Sequence, residues 1–267
     1  VHGGQSVVST STAELVRDSL LDLVELRPLG EHRLKDLGRP EALFQICLPQ
    51  WTTEFPPLRS LAGTPNNLPE QITSFIGRER ELAGVRTALG QSRLVTLTGS
   101  GGTGKTRLAL QVAADLSHTY PDGVWLVELA PLIDGALVET AVCEAVGVKE
   151  SASMSRFESL AGFLRERKVL IVLDNCEHLI ESAAKLADSL MRRCPALALL
   201  ATSRQPLGVS GERTYRVASL GLPPETVSPS PDSLEQVESV RLFIDRAALA
   251  RPGFDVTDKK AVARARE

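Results

Sequence analysis

Aromatic side chains are scarce in this chain, at 4% of 267 residues, so any core must be built mostly from Leu, Val and Ala. Cysteine is sparse as well: Cys47, Cys143, Cys176 and Cys194 lie far apart and form no CxxC pair. That spacing excludes a disulfide framework and fits reduced thiols in a cytoplasmic protein. There is no strong charge of one sign. A net charge of −3 argues against a general nucleic-acid or membrane surface, though it leaves room for a local basic patch. No apolar run is long enough to span a bilayer, and no signal peptide or internal repeat is visible. What is present is ordinary for a globular chain: 43% hydrophobic and 24% charged residues, enough for one large domain or two small ones. The chain opens on Val1 and closes on a helical pattern, as expected of a piece of a longer protein.

Along the chain, residues 1–50 read as one small α+β unit. "QSVVST" is strand-like, "STAELVRDSLL" has a Ser/Thr cap and helical spacing, and "VELRPLGEHRLKDLGRPEALFQICLP" alternates as a hairpin. Residues 51–68 are rich in Pro, Gly, Asn and Thr and read as a linker or a wrapped extended segment. From 69 to 220, near-continuous apolar strands alternate with helices: "SRLVTLTG", "GVWLVELA", "KVLIVLD", "LALLATSR" and "TYRV", with helices expected at 135–147, 155–167 and through "EHLIESAAKLADSLMRRC". Such alternation predicts a mainly parallel sheet covered by helices on both faces, an α/β fold. A second linker spans 221–235, and residues 236–267 open a further helical unit.

The most informative motif is "GSGGTGKT", residues 99–106, which fits GxxxxGK[ST]. It stands between a buried strand and a helix, where glycines let backbone N–H groups turn toward phosphate oxygens and the helix N-terminus adds partial positive charge. Lys105 can reach the β- and γ-phosphates, and the Thr106 hydroxyl can ligate Mg²⁺. The bland alternative is a glycine-rich turn. Asp174 closes the apolar run "VLIVL" and is the acid expected to hold the same Mg²⁺; its alternative is a helix N-cap. Cys176 and His178 follow closely. A zinc site lacks further ligands at suitable spacing among four Cys and four His. A cysteine nucleophile is less expected than a buried small residue.

Three more stretches, "TSFIGRERELAGV" (73–85), "LLATSR" (199–204) and "YRVASL…SVRLFIDRA" (215–220, 239–247), together with the motif above, resemble landmarks of the STAND nucleotide-binding ATPases, the NB-ARC or AP-ATPase type. The chain is similar to bacterial regulators in which a class III nucleotidyl cyclase domain precedes the ATPase and a LuxR-type DNA-binding domain often follows. The resemblance implies a P-loop NTPase fold and a slow ATPase that takes ATP or ADP with Mg²⁺. It implies adenine and ribose contacts from Ile76, Gly77 and Arg78. It implies phosphate contacts from Gly99, Ser100, Gly101, Gly102, Thr103, Gly104, Lys105, Thr106 and Arg107, metal contacts from Thr106 and Asp174, and a γ-phosphate sensor in Arg204. Plainer roles exist: Ile76 as core, Gly77 as a turn, Arg78 and Glu79 as a solvated charge pair, Arg204 as partner of a carboxylate. Residues 1–50 resemble the tail of a cyclase domain without its catalytic positions, so no cyclase activity is expected.

Asn175 stands where many related ATPases place a second acid, so Glu177 becomes the candidate base. The leading expectation is a nucleotide-dependent switch, with protein partners or self-association through flanking domains and no direct nucleic-acid or membrane binding. Its rivals are a metabolic ATPase or kinase, for which no acceptor constellation is found, and a non-catalytic remnant or interaction fragment of a truncated cyclase–ATPase regulator.

Overall fold

The computed structural model describes residues 5–17, 24–32, 41–48, 55, 64–71, 73–149, 154–223 and 237–250. Most of the first linker, the Gly38–Arg39–Pro40 turn, residues 224–235 of the second linker, residue 236 and residues 251–267 lie outside the described residues.

Near the N-terminus, β1 (Val7–Ser9), α1 (Thr10–Arg17), β2 (Glu25–His32) and β3 (Glu41–Cys47) form a unit with an antiparallel sheet in the order β1-β3-β2. The expected hairpin is there: β2 pairs with β3 from Glu25 opposite Cys47 to His32 opposite Glu41, with an irregularity between Pro28 and Gly30. Proline has no N–H for the ladder, and an edge strand with a bulge is where it fits.

The larger unit runs through α2 (Glu79–Gln91), β4 (Leu94–Thr98), α3 (Lys105–Asp115), β5 (Val124–Glu128), α4 (Leu137–Val146), α5 (Arg156–Leu164), β6 (Leu170–Asp174), α6 (Ile180–Arg193), β7 (Ala198–Ser203), β8 (Glu212–Arg216) and α7 (Glu238–Ala250). Its five strands lie in the order β5-β6-β7-β4-β8, every pairing parallel. Residues of β4, β6 and β7 are buried throughout, as continuous apolar runs require when both faces are covered.

Alternate residues of each strand serve opposite cores. Ile171, Leu173, Leu199 and Ala201 meet Val142 of α4, Leu160 of α5 and Leu186 of α6. Val95, Leu97, Val172 and Leu200 meet Val85 of α2 and Leu108 and Val112 of α3. The result is a three-layer α/β/α sandwich. Edge strand β8 has no fully buried residue, consistent with one open side.

Helix bounds are shorter than the spacing suggested. The 155–167 helix stops at Leu164, and α6 starts at Ile180 rather than Glu177. Residues 176–178 instead form a single 3₁₀ turn, because Asn175 takes left-handed backbone angles (φ 63°, ψ 53°) and breaks the path from β6 into the helix. No helix among the described residues is long and apolar enough to cross a membrane.

Candidate functional site

Strand order decides where chemistry collects. The β4–α3 loop leaves the carboxyl end of a central strand, beside the ends of β7 and β6, the edge at which open parallel sheets bind ligands. Gly99, Gly102 and Gly104 have φ of 156°, 77° and 82°, so the loop takes backbone conformations closed to most side chains. At Gly99 a Cβ would also lie 2.5 Å from the Val217 carbonyl oxygen, so β8's exit packs directly against the loop.

At the end of the loop, Thr106 Oγ1 donates to Asp174 Oδ1 at 2.7 Å. The same carboxylate oxygen accepts from Thr202 Oγ1 at 2.6 Å, and Thr202 Oγ1 in turn accepts from the Asn175 N–H at 2.9 Å. Asp174 is buried at the end of β6 and therefore does not cap a helix; the residue before the 3₁₀ turn is Asn175. Thr202 was not singled out in the sequence. A threonine ending an otherwise apolar strand next to "SR" was the one signal available. Lys105, also buried, donates from Nζ to the carbonyls of Gly99 (3.0 Å) and Ser100 (2.9 Å).

Glu177 faces this region. With its amide nitrogen turned toward the carboxylate, as the hydrogen-bonding network favours, Asn175 donates to Oε1 at 3.0 Å and Oε2 at 3.2 Å. Arg204, largely exposed, donates from Nε to Glu177 Oε1 at 3.2 Å. A cleft of about 510 Å³ is lined by Lys105, Thr106, Asn175, Glu177 and Thr202, and by Gly101, Gly102 and Gly104 of the loop.

On the other side of the loop a second cleft, about 400 Å³, is walled by Phe75, Ile76, Leu220, Leu222 and Leu242, with Ser239 adding a hydroxyl. Gly101, Gly102, Gly104 and Arg107 line both clefts, so the glycine loop is their common wall. Arg107, in the first turn of α3, donates to the Thr73 carbonyl and hydroxyl and to the Ser74 carbonyl. Burial, reinforced by nearby Arg246, pushes its pKa below the usual guanidinium value.

Ile76 lines the second cleft, and Gly77 is a left-handed turn. Arg78 is no solvated partner of Glu79: it is 5% exposed and pairs with Glu81 at 3.0 Å. The contribution of α7 to this cleft went unseen in the sequence, where the helix read as the start of a separate unit.

Cysteine chemistry is absent from the site. Cys176 is fully buried, its Sγ donating to the Leu173 carbonyl, and burial followed by the charges of Asp174 and Glu177 pushes its thiol up to about 12. His178 bonds elsewhere, to the Leu132 carbonyl. Among the described residues, no group of three or more His, Cys, Asp or Glu is placed to hold a metal ion. A nucleotide-bound Mg²⁺ does not need such a group. It takes one hydroxyl and one carboxylate plus phosphate oxygens, and the hydroxyl–carboxylate pair of Thr106 and Asp174 fits that donor set.

A glycine loop between strand and helix, its lysine, and a buried acid on a nearby strand define the fold as that of a P-loop NTPase. The segment from 88 to 209 matches the AAA domain family. Such domains generally bind ATP or ADP with Mg²⁺. An uncharacterised protein of Mycobacterium tuberculosis is 39% identical over 191 residues, 72% of this chain and 45% of its own length. A second protein of that organism, provisionally named an HTH-type transcriptional regulator, is 41% identical over 179 residues, 67% of this chain and 19% of its own. The chain thus spans less than half the length of either relative. Among solved structures, a signal transduction ATPase with numerous domains and a tetratricopeptide repeat sensor, from Pyrococcus horikoshii, aligns with a TM-score of 0.45. Its identity is 16%, with 74% of this chain and 28% of that one covered.

Proposed function

We propose that this chain binds ATP and ADP with Mg²⁺, hydrolyses ATP slowly, and serves as the nucleotide-dependent switch of a regulatory ATPase of the STAND or NB-ARC type. One observation carries the reading. The last hydroxyl of the glycine loop and the acid at the end of β6 meet at 2.7 Å, and that hydroxyl's residue, Thr106, lines with Lys105 a cleft large enough for phosphate groups. Thr106 and Asp174 are the residues that would hold Mg²⁺, and the ion supplies neutralising charge on the phosphate oxygens. Lys105 and the loop N–H groups bind the phosphates. The apolar walls of the second cleft take the base. Glu177, which lines the phosphate cleft, is the residue to orient or deprotonate water, and Arg204 pairs with that carboxylate.

The regulatory part of the proposal is supported by the relative provisionally named a transcriptional regulator, of which this chain spans 19%. Residues 1–50 are then the tail of a cyclase-like domain, 69–220 the ATPase, and 236–267 the start of a helical domain, with protein partners or self-association through flanking segments.

Titration with a fluorescent ATP analogue, with and without Mg²⁺, tests the core claim. Binding is expected to weaken at least about tenfold in Lys105→Ala, since one charge-assisted phosphate contact is worth roughly 1.5–3 kcal/mol. Equal affinity in the two proteins would remove the reading. Turnover well below about 1 s⁻¹ separates a switch from a metabolic enzyme.

A further inference from the structure

Arg78 lies against the base-side cleft, but its charge is directed elsewhere. It is 5% exposed, and its guanidinium donates to the Thr103 carbonyl at 2.7 Å, the Ala218 carbonyl at 2.9 Å and Glu81 at 3.0 Å. Thr103 belongs to the glycine loop, so Arg78 grips the loop from behind. Ala218 follows β8. One planar fork thereby ties the phosphate loop to the chain leaving the sheet.

The backbone of Arg78 has a second partner. Its N–H donates to Glu238 Oε1 of α7 at 2.7 Å. Arg78 is the N-cap of α2, takes left-handed angles (φ 63°, ψ 25°) and offers no side-chain cap of its own. The carboxylate from α7 therefore sits at the positive end of a 13-residue helix whose N-cap makes no side-chain cap hydrogen bond, although Glu79 and Glu81 stand in its first turn. Gly77 makes the approach close: a Cβ at that position would lie 2.9 Å from Glu238 Oε1. Ser239, next to Glu238, and Leu242, one turn further along α7, line the base-side cleft. Asp245 accepts from Ser74 Oγ at 2.7 Å, and Arg246 donates to the Ser74 carbonyl at 2.9 Å. That carbonyl also accepts from Arg107 of α3, at 2.6 Å. Segment 73–78 is thus held by the loop helix on one side and by α7 on the other.

We propose that Arg78 is a positioning residue that couples the shape of the phosphate loop to the seating of α7, with Glu238 as the latch. The guanidinium senses the loop at Thr103, and the same residue's N–H holds α7 at Glu238. A ligand that sets the loop and fills the cleft beside Leu242 favours the seated helix, and the seated helix favours that ligand by the same factor. The ligand part rests on the nucleotide reading above. The mechanical link between loop and helix does not.

Hydrogen exchange on the 267-residue chain, nucleotide-free and with saturating ADP, tests both parts. In the nucleotide-free protein, Glu238→Ala is expected to speed exchange at least about fivefold both in α7 and in residues 99–106, with the core strands β6 and β7 unchanged. Glu238→Gln, which keeps an acceptor oxygen, restores part of that protection. Arg78→Lys, whose single ammonium cannot span both carbonyls, loosens the loop and α7 together. With ADP, α7 slows in the wild type and stays fast in Glu238→Ala, and ADP affinity falls about threefold to tenfold. If Glu238→Ala loosens α7 but leaves residues 99–106 untouched, the relay is overturned. If the wild type binds neither ADP nor ATP, the nucleotide reading fails, while the nucleotide-free comparison still decides the relay.

Discussion

Asp174 and Cys176 stand two positions apart, yet burial puts them to opposite uses. Asp174 accepts two hydroxyl hydrogen bonds and keeps a polar role, whereas the Cys176 thiol is enclosed and pushed up to about 12 by burial and by the adjacent carboxylates. In the unfolded chain that thiol ionises near its ordinary value of 9.0. Between pH about 9 and about 12 the unfolded state therefore holds fewer protons than the folded one, and stability falls as pH rises. The slope from this single group is about 1.4 kcal/mol per pH unit. Urea unfolding of wild type and Cys176→Ala is expected to show the stability gap shifting toward the mutant by about that amount per unit above pH 9. A gap independent of pH would contradict the assignment. Maleimide should leave Cys176 unlabelled at pH 8 in the folded protein. Glu177 belongs to the same scale. Glu177→Gln should lower single-turnover ATP hydrolysis about 10²-fold with little change in ATP affinity. Unchanged hydrolysis would move the water-positioning role to Asn175 or to a segment outside the described residues.

At the scale of elements, the glycine loop was the most legible feature, because strand, turn and helix N-terminus follow one another within a dozen residues and each leaves a local mark. Segment 64–68 was less so. Its Pro and Asn content left a linker and a wrapped extended segment both open, and residues 64–68 lie along edge strand β5. Asn66 bridges to Val124, Pro65 accepts from the Val124 N–H, and the Asn67 side chain acts as a strand peptide, accepting from the Leu126 N–H at 2.6 Å and donating to its carbonyl at 2.8 Å. An amide side chain carries both a donor and an acceptor, which is why asparagine can do this and no periodicity announces it. The strap also covers an edge that would otherwise offer free backbone groups. Asn67→Ala should cost about 1–3 kcal/mol in chemical denaturation, as both Leu126 groups lose their partner. Asn67→Asp, which keeps only the acceptor, should recover part of it.

For the molecule as a whole, the sequence by itself determined the class of architecture: apolar strands alternating with amphipathic helices, two small-residue-rich breaks, and a phosphate loop in its proper local setting. Burial patterns are local in period, so they could be read without knowing any partner. Which polar groups would meet was decided only in three dimensions. Thr106 reaches Asp174 across 68 residues, and Thr202 joins them across 28, because β7 and then β6 lie beyond β4 in the sheet. Strand order is a global choice that no single stretch encodes. A longer link, from Glu238 to Arg78 across 160 residues, was less visible still. A glutamate on a helix surface looks like any solvated charge until the fold brings it to the uncapped start of another helix, where an unpaired N–H and a helix dipole give it a partner.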